Sequence, residues 1–280
     1  MSEIPQFKEP DGVGRRWRQV TAPLRLLPDF LIPGEAKCGT TSLFRYLAEH
    51  QDVLPSDVKE PNNFWRFGPS PLWCRQHYPF CWVRTWRNLS GKKSVTGEAS
   101  PEYLSKKSVP AAIASLCPAA RLIFLFRDPV ERAFSDHHMM TKAGVETVGF
   151  SDRVEQSIRM IEDSGMTEVI DGLAQLEHHP LRHVLRGCYL RSLQPWLDKF
   201  SSDQMLFIES ESFFADPSAT VNRVLDFLGL EPLARKEWPV FKQGRDKQQI
   251  PAAVRTQLES FYKPFNEELA AFLGERWSWM

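Results

Sequence analysis

The chain has 280 residues, and its 35 Lys and Arg balance 35 Asp and Glu to a formal net charge of zero. That balance excludes a partner held by bulk electrostatics: neither nucleic acid nor an anionic membrane surface is expected, so any anion site has to be local. With 42% hydrophobic and 25% charged residues, the composition is that of a globular protein with a buried core, sized for one large α/β domain or two small ones.

No apolar run approaches the roughly 18 residues of a membrane span; the densest is Leu122–Phe126. The first twenty residues lack the apolar stretch of a signal peptide. A cytoplasmic location is the default expectation, with the Golgi lumen the alternative for a chain trimmed of a membrane anchor. The five cysteines, Cys38, Cys74, Cys81, Cys117 and Cys188, form no C-x-x-C, so neither a zinc ribbon nor a dithiol redox centre is expected. The spacing leaves a Cys74–Cys81 bridge open.

Residues 1–28 are rich in Pro and Arg and read as a loosely packed lead-in to a single domain over 29–280. Phe30–Ile32 reads as a short buried strand cut by Pro33 and Gly34. Leu43, Phe44, Tyr46 and Leu47 then fall at helical spacing, so strand, glycine turn and helix begin a parallel βαβ unit. Residues 64–89 fit no regular period. They hold Trp65, Trp73, Trp82 and Trp86 among other aromatics, interleaved with Arg66, Arg75, Arg84 and Arg87, and no acidic residue. Tryptophan faces suit sugar rings and arginines suit carboxylated or sulfated groups, so this excursion is expected near an acceptor, an aromatic mini-core being the plainer alternative.

Farther along, Arg121–Phe126 is a continuous apolar run of the kind found in central parallel strands. Pro129 suits the first turn of a helix continuing to Met140. Helical patterns at Leu181–Phe200 and Val221–Leu228 flank a third strand, Gln204–Glu209, and a last helix spans about Ala252–Leu273. This alternation predicts a three-layer α/β fold, its central and mostly parallel sheet flanked by helices.

Gly34-Glu-Ala-Lys37-Cys38-Gly39-Thr40-Thr41 lies between the first strand and its helix. Against the ATP-binding loop G-x-x-x-x-G-K-[ST], both glycines and Thr41 are in place, but Thr40 stands where lysine belongs and the lysine has moved into the loop as Lys37. Loop amides and the helix N-terminus still suit an anion. Lys37 can reach the bridging oxygen of a phosphate–sulfate or phosphate–phosphate bond. After the second strand, an ATPase of this kind places an acidic residue that helps hold Mg²⁺. Here the first polar residue is Arg127, a phosphate ligand, and Ser135 follows two turns into the helix. His178 and His179 lack partners at metal-ligand spacing, so no metal is expected.

Pro33–Leu43 resembles the 5′-phosphosulfate loop of sulfotransferases, which take the sulfuryl group from 3′-phosphoadenosine 5′-phosphosulfate (PAPS) and release the bisphosphate PAP. Arg127–Ser135 is similar to that family's 3′-phosphate site, R-[DN]-P-x-x-R-x-x-S. Gly187–Trp196 resembles the G-x-Y-x-x-x-L-x-x-W helix of glycosaminoglycan sulfotransferases, and Phe241–Arg245 resembles a late K-G-R loop. The resemblance implies a P-loop-like fold and a metal-independent, in-line transfer. In it Lys37 meets the 5′-phosphate and the leaving oxygen, and the stretch Cys38, Gly39, Thr40, Thr41 and Ser42 holds the 5′-phosphate. Arg127, Ser135, Lys242, Gly244 and Arg245 would hold the 3′-phosphate, with Tyr189 also on the donor side.

Val58–Trp65 is similar to the family segment K-E-x-H-F-F, whose Glu is the general base; the matching residue is Glu60, and Asn62 replaces the His. A carboxylate serves this role when desolvation raises its pKa, while a solvated Lys59–Glu60 pair is the plainer alternative. Gly97–Tyr103 matches E-K-T-P-x-Y with Ala99 in place of the Lys, which makes Glu98 a second candidate base, and His137 stands behind both. The expected activity is sulfuryl transfer from PAPS to a hydroxyl, secondarily an amine, of a carbohydrate-like or small hydroxylated acceptor. The alternatives are a P-loop kinase with a displaced lysine, disfavoured by Thr40 and Arg127, and a non-catalytic carbohydrate-binding protein on the same scaffold.

Overall fold

A computed structural model describes residues 12–164, 181–235, 237–239 and 249–280. Among them, five strands form one parallel sheet: β1 (Phe30–Gly34), β2 (Val53–Pro55), β3 (Val95–Ala99), β4 (Arg121–Phe126) and β5 (Met205–Glu209), in the order β2-β3-β1-β4-β5. The chain passes over β1 on its way from β3 to β4. In open parallel sheets, ligands bind in the crevice at the C-terminal ends of strands where the order turns back in this way.

The strands are apolar on both faces because both are covered. In β4, Ile123 and Leu125 point to one side, where they pack with Phe30, Ile32 and Leu43 beneath α2 (Thr40–Leu47). Leu122, Phe124 and Phe126 point to the other, against Leu193, Trp196 and Leu269. Each such side chain contributes roughly 1.5–3 kcal/mol on burial. A third cluster joins Val130 and Ala133 to Val154, Leu185 and Tyr262. It ties α7 (Pro129–Lys142) and α8 (Phe150–Ser164) to the last helix, Ala252–Leu273.

The structure departs from the sequence reading in several places. β2 and β3 carry no obvious apolar run: β2 is three residues long, and β3 (VTGEA) buries a glutamate. The expected helix over 181–200 is two pieces, Arg182–Leu185 and Tyr189–Leu197. Residues 64–89 fold as three short helices, α3 (Asn63–Arg66), α4 (Pro71–Arg75) and α5 (Cys81–Leu89). Within the expected lead-in, a helix spans Gly12–Val20, and Ala22, Arg25 and Leu26 are buried against the excursion, Leu26 N donating to Pro79 O at 2.9 Å. All five cysteines are free thiols, so Cys74 and Cys81 do not pair. No helix among the described residues is long and apolar enough to cross a membrane.

Candidate active site

β1 is buried along its whole length, and Glu35 N bonds Leu125 O at 2.8 Å, which brings the turn after β1 beside the end of β4. At Gly39 the backbone has φ +92°, and a Cβ would stand 2.9 Å from Phe214 Cζ; conformation and space both demand glycine. Gly39 is also the N-cap of α2 and supplies no side-chain cap. The first-turn N–H groups, at the positive end of the helix dipole, therefore border the turn. Thr40 and Ser42 are buried and Thr41 is half-buried. The Cys38 side chain lies in the core, where burial pushes its thiol up to about 12, and its carbonyl accepts Ser210 Oγ at 2.7 Å. Only its backbone is left to the loop.

Lys37 is half-buried, and its Nζ lies 3.7 Å from Met139 Sδ on α7. Ser135 sits one turn earlier on the same face of that helix. Arg127 directly follows β4 with its guanidinium partly exposed, Nη2 lying 3.5 Å from Glu131 Oε2. The Lys37 side chain thus links the loop to α7. Tyr189 stands behind Arg127. Its ring is buried and stacked on Phe126 at 4.4 Å, and its hydroxyl donates to Arg127 O at 2.7 Å, so it fixes the backbone of Arg127. Lys242, Gly244 and Arg245 lie outside the described residues.

The two candidate bases differ sharply in setting. Glu60 follows β2 with its side chain 36% exposed and ion-paired to Lys59. Asn62 Nδ2 donates to Glu60 O at 3.1 Å. Glu98 is 1% exposed and sits in β3 opposite Leu31. It accepts Tyr78 OH at 2.6 Å and Ser100 Oγ at 3.2 Å, with the Tyr103 hydroxyl as a further donor. Burial pushes its carboxyl above the usual range, and these donors oppose the shift. Phe64 N donates to Tyr103 OH at 3.2 Å, so the segment after Glu60 is tied to Glu98 through one tyrosine.

Among the described residues, the non-glycine positions with positive φ are Lys37 (74°), Glu60 (56°) and Asn62 (54°). Each costs on the order of 1–3 kcal/mol of backbone strain, and such strain collects where a site needs it. All three fall in the turn after β1 and the candidate-base segment.

His137 is turned toward α8. Its Nε2 is 2.9 Å from Val148 O and its ring packs on Phe150 and His183, burial lowering its pKa. The aromatic excursion divides. Phe64 is buried beside Tyr103, at the candidate-base end. Arg84 and Arg87 instead pair with Asp29 and Asp52, just before β1 and β2, which puts α5 at the opposite end of the sheet from the loop. Its arginines brace the sheet and its Trp82 and Trp86 face solvent. Sequence reasoning passed over Glu35, although an acid inside an anion-binding turn is itself a signal.

A model of the sulfotransferase domain family matches residues 27–243. The chain is 28% identical over 276 residues to heparan sulfate glucosamine 3-O-sulfotransferase 3B1 of Mus musculus, covering 90% of this chain and 65% of that protein. It is also 28% identical over 318 residues to carbohydrate sulfotransferase 15 of Homo sapiens, covering 91% of this chain and 55% of that one. The chain therefore spans less than two thirds of the length of these two relatives. A solved sulfotransferase from Alicyclobacillus acidocaldarius is 25% identical, superposes with a TM-score of 0.65, and is covered over 98% of its length by 90% of this chain.

Proposed function

The chain belongs to the sulfotransferase family, and from that premise we propose that it transfers the sulfuryl group of PAPS to a hydroxyl of a carbohydrate-like acceptor. The observation that carries this reading is the position of Lys37, which spans from the phosphate loop to α7 one turn from Ser135. A donor with phosphates at both its 5′ and 3′ positions has a binding group for each: the loop and α2 N-terminus for one, Arg127 and Ser135 for the other. ATP fills only the first.

In the proposed reaction the acceptor oxygen attacks sulfur as the bond from sulfur to the 5′-phosphate oxygen breaks. Lys37 offsets the charge that develops on that leaving oxygen, an effect worth about 3–4 kcal/mol where comparable donors have been removed. The acceptor's proton passes to Glu60, whose partial exposure on the rim lets an incoming hydroxyl reach it. Glu98, closed in by hydroxyl donors, is the weaker candidate and supports the segment through Tyr103. Heparan-type chains are the first acceptors to try, because a relative's name carries that substrate.

The test is label transfer from PAPS to a panel of glycans and small alcohols, together with thermal shifts in PAP and in ATP with Mg²⁺. PAP at 100 times its Kd should add about 2.7 kcal/mol of stability, well above ATP at the same concentration. An equal ATP shift abolished by EDTA would favour the kinase. PAP binding without turnover on any acceptor would favour the non-catalytic scaffold.

A further inference from the structure

Glu35 sits two residues before Lys37, inside the turn that would hold the 5′-phosphate, and is 0% exposed. A carboxylate facing that phosphate would repel it. Instead Glu35 points inward: its Oε1 accepts Ala36 N at 2.6 Å and pairs with Arg186 Nη2. The other nitrogen of the Arg186 fork, Nη1, donates to both oxygens of Glu102, at 2.9 and 3.1 Å. Glu102 lies in the segment after β3, next to the tyrosine that bonds Glu98.

Removing charges from water costs several kcal/mol apiece unless they are paired. Here three guanidinium groups (Arg132, Arg182, Arg186) meet three carboxylates (Glu35, Glu102, Asp136), and the set is neutral when all are ionised. Burial raises the Glu35 pKa, and Arg186 and Arg132 oppose it. Burial alone would lower that of Arg186, yet Glu35 and Glu102 hold it well above the ordinary value. Glu35 Oε2 has no hydrogen-bond partner among the described residues, so the inward turn of this carboxylate rests on its other oxygen and on Arg186.

We propose that Arg186, gripping Glu35 and Glu102 at once, is a positioning residue for sulfuryl transfer: it turns the phosphate loop's own carboxylate away from the bound 5′-phosphate and ties the loop to the segment after β3. The inference rests on the PAPS reading above and adds a residue that touches neither donor nor acceptor. A planar fork is needed because two carboxylates on different segments are bridged by one side chain, which a lysine ammonium does less well.

The test compares PAP with adenosine 3′-monophosphate, which lacks only the 5′-phosphate, by calorimetric titration below the melting temperature. In Arg186→Met the Kd for PAP should rise at least tenfold while that for adenosine 3′-monophosphate changes less than twofold. Adding Glu35→Gln, which removes the freed charge and keeps an acceptor for Ala36 N, should bring PAP back to within threefold of wild type. A purely structural role would weaken both nucleotides alike, and that outcome overturns the proposal, as does unchanged PAP affinity or a double variant without recovery. Should Arg186→Met fail to fold, Arg186→Lys, whose ammonium cannot bridge both carboxylates as the planar fork does, carries the same comparison: PAP weakened selectively and restored by Glu35→Gln supports the proposal, and no selective loss overturns it. Wild-type protein that binds neither nucleotide would sink the PAPS reading and this inference together, whereas wild-type PAP binding with a silent Arg186 sinks the inference alone.

Discussion

The turn after β1 and the excursion between β2 and β3 both carry conspicuous side chains, and they put their charges to opposite uses. In the turn, backbone and charge are arranged around an opening: Gly39 and α2 present amides, Lys37 crosses to α7, and the one acid is folded inward. In the excursion, arginines that suggested anion binding are consumed as braces to Asp29 and Asp52 at the far end of the sheet. A cation's position on the fold, and the partners it already has, decide whether it remains available to a ligand. Residue type alone does not.

The sharpest way to break the contrast is at the two candidate bases. Glu60→Gln should lower kcat by roughly 10²–10⁴-fold with PAP affinity unchanged, because a positioned base contributes that much. Glu98→Gln should cost less, and a dead Glu98→Gln beside a near-normal Glu60→Gln would move the base to β3. His137→Ala should lower the melting temperature and spare kcat, since that ring is closed against α8.

On the donor side, Lys37→Ala should reduce kcat about 10²–10³-fold, as removal of an oxyanion-type donor does. Arg127→Ala should mainly raise the Kd for PAP, by roughly 10–100-fold for lost charge-assisted bonds. Loss of kcat without loss of affinity at Arg127 would contradict its placement at the far end of the donor.

A smaller effect is expected in acid. Hydrogen bonds from Arg153 hold the Glu146 carboxyl down to about 2, against an ordinary 4.5. Because the folded value is the lower one, this pair's stability is present above about pH 4.5 and is lost as pH falls toward about 2. Melting temperatures at pH 6, 4 and 3 should fall less steeply in Arg153→Gln than in wild type.

The smallest effect belongs to the excursion. Trp86→Ala, which alters an exposed ring at the far end of the sheet, should leave kcat/KM for a short acceptor within about twofold. Arg84→Ala should lower the melting temperature by a few degrees at most, since half-exposed ion pairs are worth about 0–1 kcal/mol. A tenfold loss in kcat/KM from either would return α5 to the acceptor side.

The sequence by itself determined the parts whose physics is local. β1, β4 and β5 could be read because strands covered on both faces need unbroken apolar runs, and the last helix because helical spacing is a local signal. The turn after β1 could be read because its glycine spacing between strand and helix is a consequence of local chain geometry. Tertiary structure alone decided the rest. β2 and β3 are too short or too polar to announce themselves, and β3 tolerates Glu98 because hydroxyls from other segments, Tyr78 of the excursion and Tyr103 after β3, donate to it. Tyr189 was legible as a motif residue, but its burial behind Arg127 depends on Phe126, which β4 brings against its helix. Glu35, Arg186 and Glu102 are far apart in the chain, and no sequence period links charges that meet only when three segments pack together.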